Sequence, residues 1–109
     1  MQPQKRKVLH YVAGGKDLFG EWLDGLPDIL GRAAIHIRID RVEHGIFGDC
    51  RGVGEGVWEL RIHYGPGYRV YYGEDGPLII LLICGGDKRT QRKDIRKARR
   101  LWEEYRRSK

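Results

Sequence analysis

Val57-Trp58-Glu59-Leu60-Arg61-Ile62-His63-Tyr64, Gly65-Pro66-Gly67 and Tyr68-Arg69-Val70-Tyr71-Tyr72-Gly73 follow one another without interruption. They read as two strands joined by a tight turn. Pro66 fixes φ and the flanking glycines accept φ > 0. Along the first strand, Trp58, Leu60, Ile62 and Tyr64 alternate with Val57, Glu59, Arg61 and His63. Trp58, Leu60 and Ile62 are costly to leave in water, so their face is predicted to point inward, with Tyr68, Val70 and Tyr72 completing it. Glu59, Arg61, His63 and Arg69 are then expected together on the outer face.

Upstream, Lys7–Val12 reads as a strand broken by Ala13-Gly14-Gly15. Leu18, Phe19, Trp22, Leu23 and Leu26 give Lys16–Leu26 the spacing of an amphipathic helix. Pro27–His44 fits both periods: Ile35, Ile37 and Ile39 alternate, while Leu30, Ala34 and Ile37 recur helically. Pro27 at a first-turn position and the length of the segment favour a helix. Asp49–Gly56 reads largely as loop, with room for a short strand at its start. Downstream, Glu74-Asp75-Gly76-Pro77 is a second turn. Leu78–Cys84 is apolar on both faces, as a central strand covered on both sides would be, and Gly85-Gly86-Asp87 is expected to end it. Thr90–Arg107 reads as a helix that Thr90 can cap, with Ile95, Ala98, Leu101, Trp102 and Tyr105 as its apolar stripe. The order predicts one α+β domain over residues 1–109. An N-terminal strand and two helices would pack with a twisted antiparallel sheet, helices on one face, and a basic helix would close the chain.

The 109 residues suit one domain rather than two. The net charge of +6 is unevenly spread. From Lys88 to Lys109 there are 11 Lys/Arg against 3 Asp/Glu, whereas residues 1–87 carry a balance of −2. Such a basic end concentrates polyanions, or else simply solvates a helix. The longest apolar run, Leu78 to Cys84, is far short of a membrane span. The Met1–Lys7 stretch is basic with no apolar run behind it, so a cytoplasmic address is expected. Cys50 and Cys84 have no CxxC spacing and are expected as reduced core residues. His10, His36 and His44 lack ligand spacing, and Gly52–Gly56 lacks the Lys-Ser/Thr of a phosphate loop, so it reads as a mobile loop. Neither a metal nor a cofactor is expected.

A carboxylate, two guanidiniums and an imidazole on one strand face suffice for acid–base cleavage of a phosphodiester. A base among them would take the proton of a ribose 2′-OH, Arg61 and Arg69 would stabilise the charged phosphorus centre, an acid would protonate the leaving 5′-oxygen, and Lys88 would add a cation. The same residues also fit ordinary cross-strand ion pairs on a surface.

The run from Glu59 to Tyr72, followed by an apolar strand and by Gly85-Gly86-Asp87-Lys88, Thr90-Gln91 and Asp94-Ile95, resembles the addiction-module killer group of the RelE/ParE toxin superfamily. Asp40-Arg41 and Phe47-Gly48-Asp49 fit the same group, and the likeness spans roughly Tyr11 to Trp102. It implies a small α+β toxin with an N-terminal helical hairpin, which supports a helix over Pro27–His44. It also implies growth arrest, by ribosome-dependent mRNA cleavage as in RelE-like members or by gyrase poisoning as in ParE-like ones. A retired toxin that only binds its partner is a third possibility. The implied partners are the ribosome and mRNA and a neighbouring antitoxin, usually a helix-turn-helix protein. No membrane or small-molecule cofactor is implied. Arg61 and the Gly-Tyr-Arg arginine, Arg69, match the family's cations, and Lys88 or Arg89 takes the third. Glu59 departs from the pattern, standing where a basic residue is usual, and the family's Tyr or His near the last helix has no counterpart beyond Asp94; in its place Glu59 is expected as the base and His63 as the acid. The basic helix, with Arg89, Arg92, Lys93, Arg96, Arg99 and Arg100, is expected on RNA. Tyr71, Trp102 and Tyr105 are candidate antitoxin contacts, although Trp102 also reads as core.

Overall fold

A computed structural model describes residues 3–109; Met1 and Gln2, part of the basic N-terminal stretch considered above, lie outside it. The chain forms β1 (Lys7–His10), β2 (Val12–Ala13), β3 (Lys16–Asp17), α1 (Leu18–Asp24), α2 (Ile29–Glu43), β4 (Cys50–Gly54), β5 (Val57–Ile62), β6 (Tyr68–Asp75), β7 (Ile79–Asp87), a 3-10 turn (Lys88–Thr90) and α3 (Gln91–Arg107). The main sheet has the order β1-β7-β6-β5-β4. Its pairs are antiparallel except β1 with β7, which is parallel, so the sheet is mixed. The α+β class and the two successive helices near the N-terminus are as expected.

Pro27–His44 is helical because Asp28, not Pro27, opens it: the Asp28 carboxylate accepts from the Gly31 N–H. Asp17 caps α1 in the same way at Gly20. Of the alternating isoleucines, Ile35 is buried and Ile37 points to solvent, which is helical rather than strand geometry. The Gly65-Pro66-Gly67 turn has the positive φ it needs, 56° and 83° at its two glycines.

The helices do not share one face. Phe19 and Leu23 of α1 and Ile35 and Val42 of α2 pack on Leu60, Ile62, Val70, Tyr72, Ile80 and Leu82. Ala98, Leu101 and Trp102 of α3 pack on the opposite face, on Val57, Tyr71, Leu81, Ile83 and Cys84. The physical reason lies in β7, whose apolar run needs cover on both sides. Trp102 lies so close over β6 that a Cβ at Gly73 would stand 2.4 Å from its ring.

Several boundaries differ from expectation. Asp49–Gly56 is mostly strand: β4 pairs with β5 through a register shift at Gly52/Gly54, and Val53 is buried. The glycines there hid the strand because they soften its pattern. Gly85 and Gly86 do not end β7; they pair with Val70 and Arg69. Thr90 makes no side-chain cap on α3, and Asp87 instead caps the 3-10 turn. Cys50 and Cys84 are free thiols packed against separate clusters. Among the described residues, no helix is long and apolar enough to cross a membrane.

Candidate functional site

The antiparallel register of β5 and β6 sets Arg61 directly opposite Arg69, and that of β6 and β7 sets Arg69 opposite Gly86. All of these lie at the sheet end where the Gly65-Pro66-Gly67 turn and the 3-10 turn approach each other. Arg61, His63, Arg69 and Lys88 line one open hollow of about 420 Å³ with the turn and Tyr64. Four of the five residues expected in the catalytic group are therefore brought together.

Arg69 is only 3% exposed. Its guanidinium makes one long hydrogen bond, from Nη1 to the Tyr68 carbonyl at 3.4 Å, and its buried Nε has no partner among the described residues. Arg61 is part-exposed, and its Nε stands 3.5 Å from a carboxylate oxygen of Glu59 without a well-aligned hydrogen bond. Like charges directly opposite on a sheet repel. Among the described residues no carboxylate lines the hollow itself, and Arg69 and Lys88 are left without an acidic partner to face an incoming anion.

Glu59 is the fifth residue, and its expected exposure is wrong. It is fully buried, because α3 covers the face on which it stands. Its carboxylate accepts from the Tyr71 hydroxyl at 3.0 Å, Gln91 Nε2 at 2.9 Å and Arg51 Nε at 3.2 Å. It thus joins β4, β5, β6 and α3 beneath the hollow and cannot reach a substrate hydroxyl. Burial, and then the adjacent Glu59 charge, raise the Tyr71 hydroxyl well above its ordinary pKa. Tyr71 is wholly buried and Trp102 nearly so, so neither offers a surface to a partner, while Tyr105 stays part-exposed and stacks on Trp102.

His63 is exposed, and its Nε2 lies 2.5 Å from Asp49 Oδ2. That hydrogen bond holds the Asp49 carboxyl below its usual range, with the Arg61 charge adding to the effect. Arg38 on α2 secures the loop that carries Asp49, donating to the carbonyls of Phe47 at 2.9 Å, Asp49 at 3.2 Å and Arg61. Neither Asp49 nor Arg38 was singled out for chemistry from the sequence. Asp49 becomes legible once β4 is a strand, since the Cys50–Leu60 pairing brings the residue before Cys50 beside Arg61. Tyr64 was expected inward, but β5 ends at Ile62 and the ring is left 39% exposed at the hollow. Trp58 shares the face of Leu60 and Ile62 yet is 38% exposed, at a shallow recess with Phe47 and Tyr72.

Lys88 is exposed on a turn held by Asp87, whose carboxylate accepts from the Arg89 N–H at 2.8 Å and pairs with the Arg89 guanidinium at 3.0 Å. Of the helix cations expected on RNA, Arg92, Lys93, Arg96 and Arg100 project to solvent. Arg99 is committed elsewhere: its Nε donates to the Val53 carbonyl at 2.7 Å, tying α3 to β4. No group of three or more His, Cys, Asp or Glu among the described residues is arranged to hold a metal ion.

The family described as "Phage derived protein Gp49-like (DUF891)" matches residues 21–103, which include every residue of the hollow. An uncharacterized protein of Haemophilus influenzae is 45% identical over 86 residues, covering 79% of this chain and 87% of that protein. No solved structure matches the chain significantly.

Proposed function

The chain belongs to the phage-derived Gp49-like family, which is associated with toxin–antitoxin modules, and we propose that it is the toxin of such a module, arresting growth by cutting mRNA on the ribosome. A RelE-like assignment is part of this proposal. The observation that carries it is Arg69: a buried guanidinium without an acidic partner among the described residues, facing Arg61 across the strand pair and opening on the hollow shared with Lys88. A phosphodiester is the ligand whose charge answers this arrangement.

In the proposed reaction the 2′-oxygen attacks phosphorus and the bond to the 5′-oxygen breaks, leaving a 2′,3′-cyclic phosphate. Arg61, Arg69 and Lys88 stabilise the charge that builds on the phosphoryl oxygens. His63, oriented through Nε2 by Asp49, carries the proton that the departing 5′-oxygen takes up, and the 2′-hydroxyl proton leaves to water in the open hollow. Glu59 is a positioning residue that holds Arg61 from beneath. The basic start of α3 lies along RNA, and a cognate antitoxin, in this reading a helix-turn-helix protein, neutralises the toxin in the cytoplasm.

The test is a cell-free translation reaction with the purified protein. New mRNA ends bearing 2′,3′-cyclic phosphate, formed on translating ribosomes, are the expected result. Intact mRNA, with gyrase supercoiling blocked in a parallel reaction, would replace this reading with the gyrase one.

A further inference from the structure

Two basic hollows meet at Lys88. The first is built on Arg69. The second, of about 430 Å³, lies over the start of α3, where Lys88 is joined by Arg92, Lys93 and Arg96, and by Arg89, whose guanidinium is paired with Asp87. Among the described residues no carboxylate lines either one. Their shared wall is fixed in place, because the Asp87 side chain and Thr90 close a reciprocal capping box around the turn that carries Lys88.

We propose that the two hollows hold two successive phosphates of one RNA strand, with Lys88 between them. A single phosphate would be satisfied by the first hollow alone. A second, adjoining and equally free of acids, answers a polymer whose charges repeat at a short interval. The positive charge is concentrated at this end of the chain, since residues 1–87 carry a balance of −2. The proposal also divides the basic helix. Arg92, Lys93 and Arg96 are exposed and make no recorded ion pair among the described residues, so they serve the strand. Arg99 is occupied by Val53, and Arg100 lines neither hollow. The nucleic acid is taken from the function proposed above; the two-phosphate geometry does not depend on that function.

The experiment titrates the purified protein with two uncleavable 2′-O-methyl oligonucleotides, one with a single internucleotide phosphate and one with two, at several salt concentrations. Each phosphate engaged on a single strand adds about 0.7 to the slope of log K against log salt. The second phosphate should therefore cost about 2.6-fold more affinity for a fourfold rise in salt. Replacing Arg92, Lys93 and Arg96 together by alanine, on an exposed helix face where alanine is well tolerated, should erase that increment, so that on this variant, unlike the parent, the two ligands show one and the same slope. Equal slopes for the two ligands on the parent, or an increment that survives the triple replacement, would overturn the proposal. If the increment is present and mRNA stays intact on translating ribosomes, the proposed function fails while the two-phosphate site stands.

Discussion

Arg61 and Arg69 stand directly opposite each other on β5 and β6, and the more buried of the two has no acidic partner among the described residues. Such a pair stores repulsion that a bound anion relieves. Arg69→Met removes the uncompensated charge and keeps an unbranched side chain in its place. It should raise stability by roughly 1–2 kcal/mol in urea unfolding while abolishing RNA cleavage. A variant that is both less stable and still active would contradict this account of Arg69.

Glu59 is predicted to be structural rather than a base. Glu59→Ala leaves the buried Tyr71 hydroxyl and the Gln91 amide without their acceptor and opens a void beneath α3, and should cost roughly 2 kcal/mol or more in stability. Glu59→Gln keeps the shape and most hydrogen bonds, costs less, and should retain measurable cleavage. A folded Glu59→Gln protein as inactive as an Arg69 variant would return Glu59 to the chemistry.

The His63–Asp49 contact carries a pH dependence. Its hydrogen bond depresses the Asp49 carboxyl below the ordinary value of about 3.9. The contribution to stability is therefore present above that value and is lost as pH falls through the depressed one. Both side chains are exposed, so the effect is small and weakens with salt. His63→Ala should unfold slightly more easily than the parent near neutrality, with the difference vanishing in strong acid. A difference that stays constant down to the lowest pH would show that His63 acts through something other than Asp49.

Gly73 is predicted to be fixed by the indole above it. A methyl group there would stand 2.4 Å from Trp102, so Gly73→Ala should destabilise the protein by about 1–3 kcal/mol. Combining it with Trp102→Leu should cost less than the sum of the two single changes in urea unfolding, because they share one contact.

The hairpin, the helices and the cations of the hollow were legible because each rests on a local pattern: alternation at Val57–Ile62, the turn glycines, and the charge after Lys88. The second layer was less so. The apolar run of Leu78–Cys84 demanded cover on both faces, and α3 supplies it. Yet Glu59, one residue from Leu60 on an alternating strand, looks solvent-facing by the same rule that correctly buries Leu60. Only the packing of α3 turns that face into a core, and packing between distant segments leaves no periodic trace. Asp49 and Arg38 were hidden for a related reason. Their roles depend on β4, whose strand pattern Gly52 and Gly54 weaken, and on hydrogen bonds to backbone carbonyls, which no side-chain pattern records.

The central claim is that the Arg69 hollow cleaves mRNA during translation. It is tested most directly by inducing this gene alone in a bacterial host and mapping transcript 5′ ends before and minutes after induction, beside a strain expressing Arg69→Met. The account predicts new ends inside open reading frames, lost when translation is blocked and absent with Arg69→Met. Growth arrest without new ends, or the same ends from the Arg69→Met protein, would contradict it.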